Sequence, residues 1–275
     1  MSSGILTRNA AETRRPEKSG RTMDTIGQNA VELKNVTVTF PSETGHNVVV
    51  DDFSLTVEPG EFLVLVGRSG CGKTTILNLV AGVLEPTRGT VSVYGDRPAN
   101  RRSILGYMFA RDALLPWRTA VRNVELGLEI LGSPRGERRD AALEMLKAVG
   151  LGDAAKRLPW QLSQGMRQRV ALARTWVRKP KLLLMDEPFA ALDAQTRNDA
   201  QQTFLEIWQG SRAAVILVTH DLHEALLLAD RVVLLSEGRI LKDVRPSFSR
   251  PRDIDALARS EELTRMEAEL RDLLS

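Results

Sequence analysis

Residues 67–75 constrain this chain more than any other segment. They read Gly-Arg-Ser-Gly-Cys-Gly-Lys-Thr-Thr, follow the apolar run 62–66 and precede a helix-compatible run, 76–81. In this setting of strand, turn and helix, the pattern G-x-x-x-x-G-K-[ST] forms a phosphate-binding loop. The alternative, a glycine-rich turn with a chance Lys-Thr, is disfavoured by the flanking strand and helix. The segment therefore predicts that the chain binds a nucleoside triphosphate.

The residue types of this loop explain its spacing. Glycines let the backbone fold tightly enough for its N–H groups to face phosphate oxygens, and the start of a helix adds partial positive charge. Lys73 is expected to reach the β- and γ-phosphates, and Thr74 to bind Mg²⁺. The predicted nucleotide contacts are Gly67, Arg68, Ser69, Gly70, Cys71, Gly72, Lys73, Thr74 and Thr75.

The composition is that of a chain with a large core. It has 275 residues, of which 43% are hydrophobic, enough for one large domain with or without a subdomain. The formal net charge of +3 is too small to indicate a nucleic-acid partner. A single cysteine excludes an intrachain disulfide and favours a reducing compartment. No run approaches the roughly 18 to 20 apolar residues of a membrane span, so action at a membrane would require a partner.

The chain before the phosphate loop changes character near residue 31. Residues 1–30 are polar and lack apolar periodicity, which predicts a disordered leader. A strand is expected over 31–40, with Pro41 and a turn breaking it before a second strand at 48–57. Phe40 ends the first strand, where it either stacks on an adenine ring or serves as a core or edge aromatic.

The chain from Leu114 to Lys179 has a helical pattern. Three helices are expected there, at about 119–131, 136–149 and 164–179. Residues 101–180 hold 16 Lys and Arg against 7 Asp and Glu. This basic block is either a docking surface or a set of solvated helix faces.

A pair of acids follows a strand that reads as buried. The run Leu182–Met185 is apolar without alternation, as in a parallel strand covered on both faces, and it ends at Asp186 and Glu187. Ligands bind beyond the carboxyl ends of such strands, which predicts that both acids lie beside the phosphate loop. Asp186 is expected to hold Mg²⁺ and Glu187 to polarise the attacking water. A helix cap is the alternative role for this pair.

Three histidines remain to be placed. The next apolar strand, 214–218, ends just before His220 and delivers it to the same sheet edge, within reach of a γ-phosphate. His46 and His223 have no such placement and are expected at the surface.

These motifs together resemble the nucleotide-binding subunit of an ATP-binding-cassette transporter. The resemblance covers about residues 31–242, and the serine-glycine signature is highly specific, because other phosphate-loop enzymes lack it. The matching motifs are the phosphate loop, Leu162-Ser163-Gln164-Gly165, Asp186-Glu187-Pro188, Ala191-Leu192-Asp193 and His220. Within the family, Leu114–Thr119 followed by Asn123 and Val124 is similar to importers of nitrate, sulfonate, taurine and related small anions.

The resemblance implies an α/β fold. Its parts would be a phosphate-loop NTPase core with a mostly parallel sheet, an antiparallel β subdomain and a helical insertion subdomain. The nucleotide-binding domain is expected at 31–245, with the helical subdomain at about 110–180, and a helical tail at 246–275. Apolar residues on one face of the tail would pack on the sheet or on a second copy.

The resemblance also implies a mechanism based on ATP and Mg²⁺. Glu187, His220 and Lys73 would catalyse hydrolysis. Two cassettes would pair head to tail, so that Ser163, Gln164 and Gly165 of one chain contact the nucleotide of the other. Asp193 would lie at the interface between the two chains.

The implied partners are a second copy of the chain, a dimer of integral membrane permease subunits and a periplasmic or extracytoplasmic solute-binding protein, without nucleic acid. The chain would lie at the cytoplasmic face of the inner membrane. Leu114, Leu115 and Trp117 would be apolar anchors on the permease, or at least one would serve the local core.

Two positions depart from the family pattern. Ala110 replaces a glutamine whose amide usually meets Mg²⁺ and the attacking water, and Gln164 replaces a second signature glycine. A catalytically weak or regulatory cassette is therefore the alternative reading.

A cassette ATPase acting on DNA would need a long coiled coil between phosphate loop and signature, whereas 90 residues separate Lys73 from Ser163. A translation-type protein would carry two cassettes, and a small-molecule kinase would not need the signature.

Overall fold

The computed structural model describes residues 28–42 and 45–274. The predicted disordered leader lies outside the described residues except for its last three. Ala30, one of these, is buried, donates a hydrogen bond to the carbonyl of Val57 and accepts one from the N–H of Tyr94. Ala30 therefore packs with the small sheet, although the leader was expected to extend through residue 30.

Strands and helices alternate along most of the described chain. The strands are β1 (Val31–Ser42), β2 (Gly45–Val57), β3 (Phe62–Gly67), β4 (Arg88–Val93), β5 (Leu105–Met108), β6 (Leu182–Asp186), β7 (Ala214–Thr219), β8 (Arg231–Ser236) and β9 (Arg239–Val244). The α-helices are α1 (Lys73–Val80), α2 (Ala120–Ile130), α3 (Arg135–Ala148), α4 (Gln164–Trp176), α5 (Ala194–Gln209), α6 (Leu222–Leu228), α7 (Ile254–Ala258) and α8 (Glu261–Asp272). The three helices expected in the basic block are all present.

A six-stranded sheet forms the centre of the molecule, in the order β5-β6-β7-β3-β8-β9. All neighbouring pairs are parallel except β8 and β9. Every residue of β3 and β7 is buried, as expected for strands covered on both faces. Alternate side chains point into two apolar clusters, so that Phe62 and Val64 contact the side of α2 to α8, while Leu63 and Leu65 contact the side of α1 and the small sheet.

The small sheet is antiparallel, with the order β2-β1-β4. The expected break at Pro41 was wrong, because β1 continues to Ser42, and Pro41 pairs with His46. Pairing of β1 with β4 ends at Thr37. Beyond that point, β1 has a ladder on only one side within the described chain, where a proline, which lacks an N–H, is tolerated.

Three ion pairs lie within the basic helical block. Arg118 pairs with Glu129, Arg139 with the buried Glu125, and Arg167 with Asp112. These pairs connect parts of the block, whose 16 Lys and Arg still outnumber its 7 Asp and Glu.

The loop between β5 and α2 is fastened by one buried side chain. Asn123 in α2 is fully buried, accepts a hydrogen bond from the N–H of Leu115 at 2.7 Å and donates to the carbonyls of Leu115, Arg118 and Thr119. This arrangement exposes 73% of Trp117, whereas Leu114 belongs to the core. Of the three expected apolar anchors, one is therefore a core residue.

The helical tail folds back on its own chain. α7 contacts α5 and α6, and α8 contacts α6. Ile254, Leu263 and Leu270 are buried there. Neighbouring helices of the same chain thus cover the apolar face of the tail at Ile254, Leu263 and Leu270. Across residues 28–42 and 45–274, every helix is too short or too polar to serve as a membrane span.

Replacing Asn123 by alanine should destabilise the protein by about 2 to 3 kcal/mol, because buried backbone groups of the loop would lose their partner. The free energy of unfolding in urea measures this. The matched control is Asn100→Ala, since Asn100 makes an exposed side-chain hydrogen bond to Asp96 and its loss should cost at most about 0.5 kcal/mol. Equal losses in the two variants would contradict the role given to Asn123.

Candidate nucleotide site

The phosphate loop joins β3 to α1 and requires glycine at several positions. Gly70 and Gly72 adopt φ values of 84° and 99°, in the left-handed region that favours glycine. A Cβ atom on Gly72 would also lie 2.8 Å from the carbonyl oxygen of Val49. The loop is therefore pressed against β2 at Gly72, where there is no room for a side chain, whereas Gly70 faces open space and its glycine is favoured by φ alone.

Cys71 occupies the interior side of the loop. Its side chain is 8% exposed and belongs to the apolar cluster beside the sheet, and its carbonyl accepts a hydrogen bond from Gly238. The thiol thus packs into the core, whereas Arg68, Ser69 and Thr74 are exposed.

Lys73 is a buried cation with neutral partners. Its side-chain ammonium donates to the carbonyl oxygens of Gly67 at 2.7 Å and Arg68 at 3.0 Å. Within the described chain, no carboxylate lies at ion-pair distance from it. Because burial of an unpaired charge is costly, a negatively charged ligand such as a phosphate group fits this position.

Asp186 and Thr74 meet at the mouth of the loop. The Thr74 hydroxyl donates to a carboxylate oxygen of Asp186 at 3.2 Å. Burial raises the pKa of Asp186, with a further contribution from the negative charge of Glu187, and the Thr74 hydrogen bond and Lys73 oppose this. Mg²⁺ binds through hard oxygen ligands and retains water or phosphate oxygens, so these two side chains fit such an ion. Among the described residues, no group of three or more His, Cys, Asp or Glu side chains could hold a metal ion.

Glu187 and His220 face each other across neighbouring strand ends. The distance from Oε2 of Glu187 to Nδ1 of His220 is 3.3 Å. Glu187 has a φ of 45°, and its N–H donates to the carbonyl of Val218 in β7. This left-handed backbone, unusual for a residue with a side chain, turns the chain sharply after β6 and is typical of functional sites.

The predicted signature residues lie on a separate face. Ser163 caps α4 by accepting a hydrogen bond from the N–H of Met166, and Ser163 and Gln164 are exposed. Gly165 is buried, and a Cβ there would lie 2.1 Å from Cγ2 of Thr196 in α5. Packing against Thr196 of the same chain therefore favours glycine at position 165. Among the described residues, no hydrogen bond or ion pair connects the signature to the phosphate loop.

Asp193 caps α5 in the same way. Its carboxylate accepts a hydrogen bond from the N–H of Thr196 at 3.0 Å, and the bonds to Thr196 lower the pKa of Asp193. The contact of Thr196 with Gly165 joins the starts of α4 and α5, so Ser163 and Asp193 share one face.

Phe40 is 39% exposed and lies opposite Asn47 in the small sheet. It is therefore an edge aromatic rather than a core one. It lies near the β2 segment that touches Gly72, which leaves it available for stacking on a base.

His46 and His223 were predicted to lie at the surface, and His46 is exposed. His223 is partly exposed, but its Nδ1 lies 2.9 Å from Oε2 of Glu267 in α8.

Glu224 was missed by sequence reasoning, because nothing in an amphipathic segment marks a glutamate as buried. Its side chain accepts a hydrogen bond from Gln201 at 2.9 Å and another from Thr219. Burial raises its pKa to about 7, and Asp221 adds to the shift. An uncharged carboxyl group at moderate pH therefore lies directly beneath the His220 segment.

Comparisons with known proteins show which family the sequence resembles. A sequence model of the ABC transporter family matches residues 50–190. The taurine import ATP-binding protein TauB of Chromobacterium violaceum is 46% identical over 223 residues, covering 80% of this chain and 85% of TauB. TauB of Shigella flexneri is 45% identical over 211 residues, covering 76% and 83%. An uncharacterised ABC transporter ATP-binding protein of Methanocaldococcus jannaschii is 44% identical over 225 residues, covering 81% and 84%.

Solved structures show the same fold. The ATP-binding cassette MJ0796, described as a dimer in a post-hydrolysis state bound to ADP and Pi, superposes with a TM-score of 0.72 and 32% identity. The match covers 80% of this chain and all of that one.

Glu224→Gln should make stability less dependent on pH. The folded-state pKa of about 7 exceeds the usual 4.5, so the stability contributed by the protonated carboxyl is fully present below pH 4.5 and is lost as pH rises through 7. The glutamine variant has no such loss. Its free energy of unfolding, measured relative to wild type, should therefore rise by on the order of 2 kcal/mol from pH 5 to pH 8.

Denaturation at pH 5, 6, 7 and 8 measures this gain. Glu206→Gln is the control, because Glu206 also accepts an amide hydrogen bond, from Gln202, but is exposed. A difference between Glu224→Gln and wild type that is constant with pH would disprove the shift.

Proposed function

The chain belongs to the ABC transporter family, and we propose that it powers import of a small anion, such as nitrate, a sulfonate or taurine, through a separate membrane permease. It is an ATP-hydrolysing subunit of the importer type. The choice of solute is supported by the relatives named as taurine import proteins and by the loop 114–119.

The convergence of Lys73, Asp186, Glu187 and His220 at one sheet edge supports the ATP-hydrolysing part of this proposal. Lys73 would hold the terminal phosphates by its charge. Thr74 and Asp186 would hold Mg²⁺, which neutralises phosphate charge when bound. Glu187 is the base that orients and polarises the attacking water, and His220, in contact with Glu187, stabilises the γ-phosphate.

The nucleotide is proposed to lie between two copies of the chain. Ser163 and Gln164 are exposed, and in the described chain neither makes a hydrogen bond or ion pair with its own phosphate loop. A second copy, placed head to tail, would bring its Ser163 hydroxyl to the nucleotide held by Lys73. Gly165 would contribute through its backbone and Asp193 through the shared face of α4 and α5.

The permease is proposed to contact the loop after β5 and the end of α2. Phe109 and Trp117 are 52% and 73% exposed, and Ile130 and Leu131 are 77% and 52% exposed. Exposed apolar side chains of this size favour a protein partner. Contact with a permease would hold the chain at the cytoplasmic face of the inner membrane, and an extracytoplasmic solute-binding protein would complete the system.

A catalytically weak or regulatory cassette is the second candidate. Ala110 is exposed just after β5, next to β6 and the acids that follow it. A methyl group there can neither bind Mg²⁺ nor position water. This observation favours slow hydrolysis over absence of hydrolysis, because the other catalytic side chains are present.

Glu187→Gln should abolish hydrolysis and retain ATP binding, because the amide keeps the size of the side chain but cannot act as a base. The variant should form a dimer with MgATP that is stable in size-exclusion chromatography. The control is Glu137→Gln, because Glu137 is an exposed residue of α3. This variant should hydrolyse ATP normally. A monomeric Glu187→Gln protein with normal turnover would refute the assignment.

Ala110→Gln should raise ATP turnover of the assembled transporter by about tenfold to a hundredfold, because one positioning contact in phosphoryl transfer is worth roughly 1 to 3 kcal/mol. Ala110→Met, of similar length without an amide, should give no gain. The assay is ATPase activity of the chain with its permease, with and without binding protein. If glutamine and methionine have the same effect, the missing amide does not limit turnover.

A further inference from the structure

The tail helix α8 reaches the nucleotide site. A cavity of about 700 Å³ is lined on one side by Arg68 and Ser69 of the phosphate loop and by His220, and on the other by Glu267 and Arg271 of α8. The family match, residues 50–190, ends well before this helix. The tail is therefore part of the surroundings of the proposed catalytic residues.

α8 is anchored firmly enough to hold a neighbour in place. Leu263 and Leu270, seven residues apart on one face, are buried against the core. Ser260 caps the helix by accepting a hydrogen bond from the N–H of Leu263, and Ser247 donates to Glu262. These contacts fix both the position and the rotation of the helix.

Glu267 makes a polar contact between α8 and the segment that carries His220. Its side chain is 16% exposed, and its Oε2 lies 2.9 Å from Nδ1 of His223 in the first turn of α6. Its other oxygen accepts a hydrogen bond from Arg271, which holds the carboxylate in orientation. Arg271 thereby orients the carboxylate from within α8, and Oε2 faces α6.

His220 has few restraints of its own. Its side chain is 56% exposed, and its ion-pair contact is with Glu187 at 3.3 Å. No other hydrogen bond or ion pair of this side chain occurs in the described chain. It precedes the N-cap of α6, Asp221, which accepts a hydrogen bond from the N–H of Glu224. The orientation of the first turn of α6 therefore sets the direction of His220.

We propose that Glu267 and His223 form a positioning pair through which α8 fixes the first turn of α6 and holds His220 in its catalytic orientation. This inference rests on the proposed role of His220. Neither Glu267 nor His223 touches the nucleotide in this scheme. Their contribution is to restrict His220, so their loss lowers the rate of hydrolysis without weakening ATP binding.

The test is steady-state ATPase kinetics of the full-length chain assembled with its permease. Glu267→Ala and His223→Ala should each lower kcat about threefold to tenfold and leave the KM for ATP unchanged. The double variant should lose no more than either single variant, because both changes remove the same contact. Glu267→Gln, which can still hydrogen-bond Nδ1 of His223, should restore most of the rate.

Glu269→Ala is the matched control on the same helix, because Glu269 pairs with Arg265 on the exposed side and should have wild-type kinetics. Unchanged kcat in Glu267→Ala and in His223→Ala, or additive losses in the double variant, would overturn the inference. His220→Ala is measured alongside. If it retains full turnover, the proposed role of His220 fails, whatever the tail variants do.

Discussion

The parallel pairing of β6 with β7 and of β7 with β3 is the constraint on which the nucleotide site depends. Paired strands lie about 4.8 Å apart, so whatever follows three neighbouring strands in one direction must meet at one edge. The phosphate loop follows β3, Asp186 ends β6 and His220 follows β7. The buried charge of Lys73 and the left-handed turn at Glu187 are both arranged around this edge, where backbone geometry is rigid.

The second half of the proposed site depends on a different contact. Gly165 and Thr196 pack so closely that the starts of α4 and α5 form one unit. Ser163 and Asp193 are the N-caps of these helices, and both remain exposed at the helix starts. A face built from two helix starts can meet another molecule as a rigid body, which is the property that head-to-tail pairing of cassettes requires.

The loop after β5 is fastened to α4 by arginines of that helix. Arg167 donates to the carboxylate of Asp112, and Arg174 donates to the carbonyls of Asp112 and Ala113. The same loop carries Ala110 at its start and Trp117 on its surface. The loop that carries Trp117 is thereby bonded to the helix that begins with the signature, without the glutamine amide of the family pattern.

Much of this protein could be predicted from its sequence because the relevant signals are local. The phosphate loop, the apolar run ending at Asp186, and the three helices of the basic block each depend on neighbouring residues, and the structure contains them at the expected places. The resemblance to ATP-binding cassettes added the family, which the comparisons confirmed, and the mostly parallel sheet with its antiparallel companion, which the structure confirmed.

Contacts between residues distant in sequence were decided only by the tertiary structure. The buried Glu224 accepts a hydrogen bond from Gln201 in α5, and Glu267, the partner of His223, is 44 residues away in α8. The apolar face of the tail was evident, but amphipathic periodicity shows only that a face must be covered and not which surface covers it. The sequence alone thus determined which chemical groups are present and which secondary structures carry them. Packing decided which groups share an edge, which charges are buried and which glycine is required by a neighbour, because those properties depend on distances through space.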